Sequence, residues 1–280
     1  MFGCATFRRR TADIDRHEAE CTVDPVEPTE RFVELVSAPD HEVPLAEAAF
    51  LIAAHDHEVD IAGELEALED LARRAPETSE LVARYLFVEL GFAGNEADYA
   101  DPRNSYLDEV LRRRLGIPIT LSVLMLEVGR RQGLVLAGVG MPGHFLVRGA
   151  DGAFYDPFHG GVRLDEAGCR MIFEATRGPV PFRPEYLRAV GSRAILARML
   201  ANLVQSAGSH EPAAALWATR LRLLIPGLSV AERHDGALLL GRFGQFSEAA
   251  TALDALAADL PGEGATRAAR DAAGFRARAN

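Results

Sequence analysis

Two short motifs carry the residue types of acid–base chemistry, Gly143-His144-Phe145 and Asp156-Pro157-Phe158. The stretches His144 to Arg148 and from Phe154 onward read as strands, and Ala150-Asp151-Gly152 between them reads as a turn. Antiparallel pairing then brings His144 and Asp156 within reach of each other. An imidazole bonded to a carboxylate gains a defined tautomer and added basicity, so the pair makes up two thirds of a nucleophile, base and orienter triad. A cysteine at the start of a buried helix would complete it, because the helix N-terminus stabilises a thiolate. The helix that offers this place begins with Pro118. Each member also has a plainer reading. His144 can be a satisfied core histidine, and Asp-Pro is turn chemistry whose carboxylate caps local backbone.

Other groups near this constellation have two readings as well. Thr120 and Ser122 lie in the first turns of the Pro118 helix, as substitute nucleophiles or as hydroxyls bonded back to carbonyls four residues earlier. Cys169 is the one thiol of the folded core region, and packing beside Ile172 and Phe173 accounts for it. Asn104 stands before a helix, as an N-cap or as an amide contact to a ligand. Arg112, Arg113 and Arg114 form a solvated face, or one of them binds a carboxylate near the site. The candidate site is thus His144 and Asp156 as triad-like residues, with Asn104, Pro118, Thr120 and Ser122 as binding residues. The His55-Asp56-His57-Glu58 cluster has metal-ligand residue types, but alternating polar residues at a helix junction read as a solvated turn. No metal and no cofactor is expected, because no Cys/His spacing matches a zinc site.

The elements that must position these residues follow in order. Leu45, Ala48, Ala49, Ile52 and Ala53 make one apolar helical stripe, Ile61, Leu65, Leu68, Leu71 and Ala72 a second, and a third helix is predicted over Glu77 to Leu90. Asp101-Pro102-Arg103-Asn104-Ser105 supplies turn and cap chemistry before a helix that stops at Gly116. Proline suits the first position of the next helix because its missing N–H would be unsatisfied there anyway. Ile119, Leu121, Val123, Leu124, Met125, Leu126 and Val128 follow on nearly every side, which predicts a buried central helix. Strands are predicted over Leu134 to Met141 and His144 to Arg148, then a helix near Asp165 to Ala175. The proline-spaced stretch Gly178 to Pro184 reads as a domain boundary, and everything after it reads as helical. Gly244, Phe246, Ala249 and Pro261 sit at the small, aromatic and stop positions of a tetratricopeptide helix pair, with a weaker copy at Ala214 and Pro226.

At 280 residues with 48% hydrophobic and 25% charged content, the chain has material for one or two cores. Its net charge of -11 repels phosphate backbones, which argues against a nucleic-acid partner. No apolar run reaches the roughly 20 residues that cross a bilayer, and the start lacks a charged segment followed by an apolar one. Three scattered cysteines, Cys4, Cys21 and Cys169, suit free thiols in a reducing compartment. A soluble cytoplasmic protein is expected, with no membrane partner.

The segments Asn104-Ser105-Tyr106-Leu107-Asp108, Arg113 to Ser122, Gly138 to Phe145 and Asp156-Pro157-Phe158 resemble a bacterial family of the transglutaminase-like superfamily, the invasion-regulator-like proteins with tetratricopeptide repeats. A related domain occurs in some eukaryotic F-box proteins. The resemblance covers Phe32 to Ala175 well and the helical tail more loosely. It implies that His144 and Asp156 are the family's His and Asp. In active transglutaminase-type enzymes a cysteine stands where this chain has Pro118.

The expected fold is α+β, with a helical lead-in, a papain- or transglutaminase-like core of a central helix on an antiparallel sheet, and an all-α tetratricopeptide-like tail. The expected division is a loose leader over 1–28, the core over 29–183, the helical domain over 184–265 and a C-terminal tail over 266–280. Two functions follow, beside a purely structural role in which the cleft is filled by its own side chains. One is a non-catalytic binding or regulatory protein with a protein or peptide partner. The other is a hydrolase or acyltransferase in which His144 and Asp156 act with water, Thr120, Ser122 or Cys169.

Overall fold

A computed structural model describes residues 27–208 and 211–279 of the chain; nearly all of the expected leader, with Cys4 and Cys21, lies outside the described residues. The lead-in consists of helices α1 (Pro28–Ser37), α2 (Leu45–Ala53), α3 (Ile61–Arg74) and α4 (Ser79–Arg84), the last running into a π-helical turn over Tyr85–Glu89. The stripes explain α2 and α3. Helix α1 was not anticipated, although it buries Phe32, Leu35 and Val36 at helical spacing. Asp60 and Thr78 cap α3 and α4 by accepting the backbone N–H of Gly63 and Leu81.

The core continues with β1 (Ala93–Gly94), α5 (Leu107–Arg113), β2 (Leu115–Gly116) and α6 (Pro118–Arg131). Every residue of α6 from Pro118 to Gly129 is buried, as its all-round apolar sequence requires. Strands β1 and β2 form a two-residue parallel pair that ties the loop before α5 to the start of α6. Strands β3 (Leu136–Val139), β4 (Leu146–Gly149), β5 (Phe154–Asp156) and β6 (Val162–Leu164) are antiparallel neighbours. Helix α7 (Glu166–Arg177) follows, then β7 (Ala189–Val190) on the free edge of β3, giving the sheet order β6-β5-β4-β3-β7. Alternation along the strands divides the side chains between two layers. Phe145, Val147 and Tyr155 join the core around α6, whereas Val139, Leu146 and Phe154 pack with Cys169, Phe173 and Leu187.

The rest is helical: α8 (Ser192–Ala207), α9 (Pro212–Leu223), α10 (Val230–Arg242), α11 (Phe246–Asp259) and α12 (Gly262–Ala279). The fold is therefore α+β with a helical tail. Four details differ from the sequence reading. The chain returns to the sheet at β7 before becoming all-helical at Ser192, because the exposed edge of β3 offers unpaired N–H and C=O groups. Helix α8 belongs to the core, since Ile195, Leu196, Met199, Leu200 and Leu203 are buried in the same cluster as α6. Helix α12 crosses the expected limit at 265 without a break. Gly244 is a turn residue with φ +78°, and the close helix approach is made by Gly241 against the Phe275 ring. No helix among the described residues is long and apolar enough to cross a membrane.

Candidate functional site

The turn Met141-Pro142-Gly143-His144 is closed by His144 N–H donating to Met141 O at 3.0 Å, with Pro in its second position and Gly143 at φ +82° in its third. Both residues suit that backbone, since proline presets a negative φ and glycine accepts a positive one. His144 therefore precedes β4 instead of opening it. Its Nε2–H donates to Asp156 Oδ1 at 2.9 Å. Asp156 ends β5 and also accepts the backbone N–H groups of Phe158 and His159 on Oδ1, at 3.1 and 3.4 Å. The two readings of this carboxylate thus coexist. It caps a turn and holds an imidazole.

A third member was missed in the sequence. His159 Nδ1–H donates to Asp156 Oδ2 at 2.7 Å, and its ring stacks on that of His144 with centroids 5.6 Å apart. Asp156 is 1% exposed and His144 6%, while His159 is 51% exposed. Burial by itself would raise the Asp156 carboxyl, but the hydrogen bonds and charge of the two histidines outweigh it and hold the group below the usual carboxylate range. Phe158 stands edge-on to both imidazoles. The missed signal was local: His159 follows Asp156 by three residues, the spacing at which a capping Asp meets the end of its own turn. His144, Asp156 and His159 are also close enough to hold a metal ion together, as are His57, Asp108 and Glu109.

A cavity of about 560 Å³ opens here, lined by Pro118 and Ile119 of α6, Gly143 to Phe145, Phe158 and His159, with Thr176 and Arg177 of α7, Arg198, Asn202 and Gln205 of α8, and Tyr99. Pro118 and His144 thus share one cavity. Asn104, Thr120 and Ser122 are not among its lining residues. Thr120 Oγ1 accepts Ile117 N–H at 3.1 Å and donates to Asn104 O at 2.7 Å, which fixes the N-terminus of α6. Ser122 donates to Pro118 O at 2.7 Å. Asn104 is not the N-cap of α5, a position held by Tyr106. It is fully buried in a short turn, accepts from Asn95 at 3.0 Å and donates to Asp98 O at 2.8 Å, so its amide shapes the loop before α5.

Cys169 sits in α7 on the other layer, where burial pushes its thiol up to about 12. Of the arginines, Arg113 pairs with Asp101 at 3.1 Å, Arg112 with Glu109, and Arg114 donates to Leu90 O at 2.8 Å. The His55 to Glu58 cluster is docked and not solvated throughout. His57 Nε2 bonds Asp108 at 2.6 Å, and His55 stacks on Trp217 of α9.

Residues 55–201 match the sequence profile of the transglutaminase-like superfamily, more than half of the chain, from the end of α2 into α8. The chain belongs to the transglutaminase-like superfamily. This transglutaminase-like stretch contains the whole sheet and every lining residue of the cavity except Asn202 and Gln205. A UPF0162 protein of Xylella fastidiosa strain 9a5c is 44% identical over 168 residues, covering 57% of this chain and 60% of the relative. A UPF0162 protein of Vibrio cholerae is 33% identical over 137 residues, 47% of this chain and 50% of the relative. F-box only protein 21 of Homo sapiens is 34% identical over 137 residues, 45% of this chain and 21% of that protein. The chain thus spans 60% or less of these relatives' lengths. No solved structure matches it.

Proposed function

We propose that this transglutaminase-like protein has given up covalent acyl transfer and works as a non-catalytic binding or regulatory protein, with its cavity as the ligand site. The observation that carries the reading is Pro118, which lines the same cavity as the carboxylate-bound His144 and has no nucleophilic atom. The substitutes are engaged elsewhere: the Thr120 and Ser122 hydroxyls donate to backbone, and Cys169 is buried in the second layer. In this reading the protein is cytoplasmic and of the invasion-regulator-like type. Its helices α9 to α12 act as a tetratricopeptide-like repeat that docks a protein or peptide partner, the usual use of such stacked helix pairs.

A second reading has one specific observation in its favour. His144 keeps Nδ1 without a protein hydrogen-bond partner among the described residues while Nε2 is fixed by a buried carboxylate, the arrangement of a general base able to activate water. The two readings separate in one assay. Purified protein is incubated with a glutamine-donor peptide and an amine acceptor, and with acyl esters for hydrolysis. The binding reading expects no turnover above background. Turnover lost in His144→Ala and kept in Cys169→Ala establishes a hydroxyl or water route instead; turnover lost in Cys169→Ala assigns the role to that thiol.

A further inference from the structure

The chain carries a net charge of -11, yet the cavity lining includes two arginines, two histidines and no Asp or Glu. Asp156 lies behind the imidazoles with both oxygens taken by hydrogen bonds from His144, His159 and the backbone. The cavity therefore runs against the charge of the molecule around it.

Arg198 is the group that decides what enters. It is partly buried, with its guanidinium carbon 5.5 Å from the centroid of the Phe145 ring. Only Nη2 has protein acceptors, Met141 O at 3.0 Å and His144 O at 2.8 Å. Nη1 and Nε have none among the described residues, and no carboxylate among those residues forms an ion pair with Arg198. A guanidinium stays charged, so taking it partly out of water without a counter-ion is unfavourable until an anion arrives.

We infer that this cavity, which His144 also lines, binds a carboxylate held by Arg198. Such a site presupposes the ligand-binding cleft proposed above and names what enters it. Arg198 is the one partly buried cation of the lining, Arg177 being exposed, and its unit charge matches a carboxylate; a phosphate dianion would leave excess negative charge at it. The apolar walls, Ile119, Phe145 and Phe158, suit the rest of a small organic acid or of a peptide C-terminus.

The experiment titrates the full chain with N-acetyl-dialanine, its C-terminal amide, acetate and inorganic phosphate, with affinity read by calorimetry and the His144 imidazole by NMR. The free acid is expected to bind at least tenfold tighter than the amide, acetate to compete with it, and Arg198→Met to erase the difference. Arg198→Lys keeps a cation and is expected to retain part of it, which decides the matter if Arg198→Met does not fold. Competition by acetate alone, without added affinity from the peptide, identifies a small acid as the natural source and supports the site. Equal binding of acid and amide overturns the carboxylate inference and leaves the cleft reading standing; binding of neither, with no shift at His144, overturns both. Stronger competition by phosphate than by acetate also overturns the assignment.

Discussion

His144 and His159 stack with ring centroids 5.6 Å apart while each bonds a different oxygen of Asp156. One buried carboxylate thus sets the tautomer of two imidazoles, one enclosed and one at the cavity rim. Replacing Asp156 with Asn leaves a single acceptor oxygen and places an amide N–H₂ against one ring. The expected cost is about 2 kcal/mol, the scale of a buried hydrogen bond to a charged group. Urea denaturation at neutral pH measures it, and His159→Ala, which removes the exposed ring, is expected to cost less than half as much.

The same carboxylate makes a pH prediction. Its folded pKa lies below the unfolded value of about 3.9, so its contribution is complete above that value and drains as pH falls through the folded one. The stability gap between wild type and Asp156→Asn is therefore expected to hold from neutrality to about pH 5 and to narrow below about pH 4. A gap that stays constant down to pH 2.5 contradicts this.

His57 predicts the opposite slope. Burial opposes its protonation, but the bond to Asp108 prevails and its pKa is raised. The stability it lends is complete below the unfolded value of about 6.5 and is lost as pH rises through the higher folded value. With His57 30% exposed, the expected loss is about 1 kcal/mol at most. Asp108→Asn is expected to flatten this limb, as read by thermal melts from pH 6 to 9.

Pro118→Cys tests the proposed reading of Pro118 as the nucleophile position. Proline at N1 gives no hydrogen bond, so the exchange is expected to leave the helix intact. In a background with Cys4 and Cys21 changed to Ser, Ellman's reagent is expected to find one fast native thiol, lowered by the helix N-terminus, while Cys169 reacts only after unfolding. A new thiol as slow as Cys169 contradicts the placement of Pro118 beside an open cavity.

Gly143 is needed at the turn that aims His144. At φ +82° a side chain is strained, and an added Cβ meets Thr176 Cγ2 at 2.6 Å. Gly143→Ala is expected to cost about 1 to 2 kcal/mol and to shift the His144 imidazole signals in NMR spectra, whereas Gly152→Ala, with open space around it, is expected to cost less and leave them in place.

The amino-acid sequence by itself determined the features whose causes are local. The all-round apolar run after Pro118 can only be a buried helix, and Pro142-Gly143 can only be comfortable in the turn that precedes His144. Helices α2 to α7 and strands β3 to β5 follow from such patterns, and so does the α+β order. What the tertiary structure decided are contacts between residues far apart in the chain, for which no spacing rule exists. Strand β7 is two residues long, too short for any alternation to announce it, and forms because the edge of β3 needs a partner. His57 meets Asp108 across 51 positions, and Arg198 reaches the carbonyls of Met141 and His144 across 57 and 54. Thr120, Ser122 and Asn104 looked like site residues because their types can do chemistry; their burial against backbone carbonyls and amides, fixed only once α5 and α6 are packed, turned them into scaffold. A side chain's type is written in the sequence, but its partner is chosen by packing.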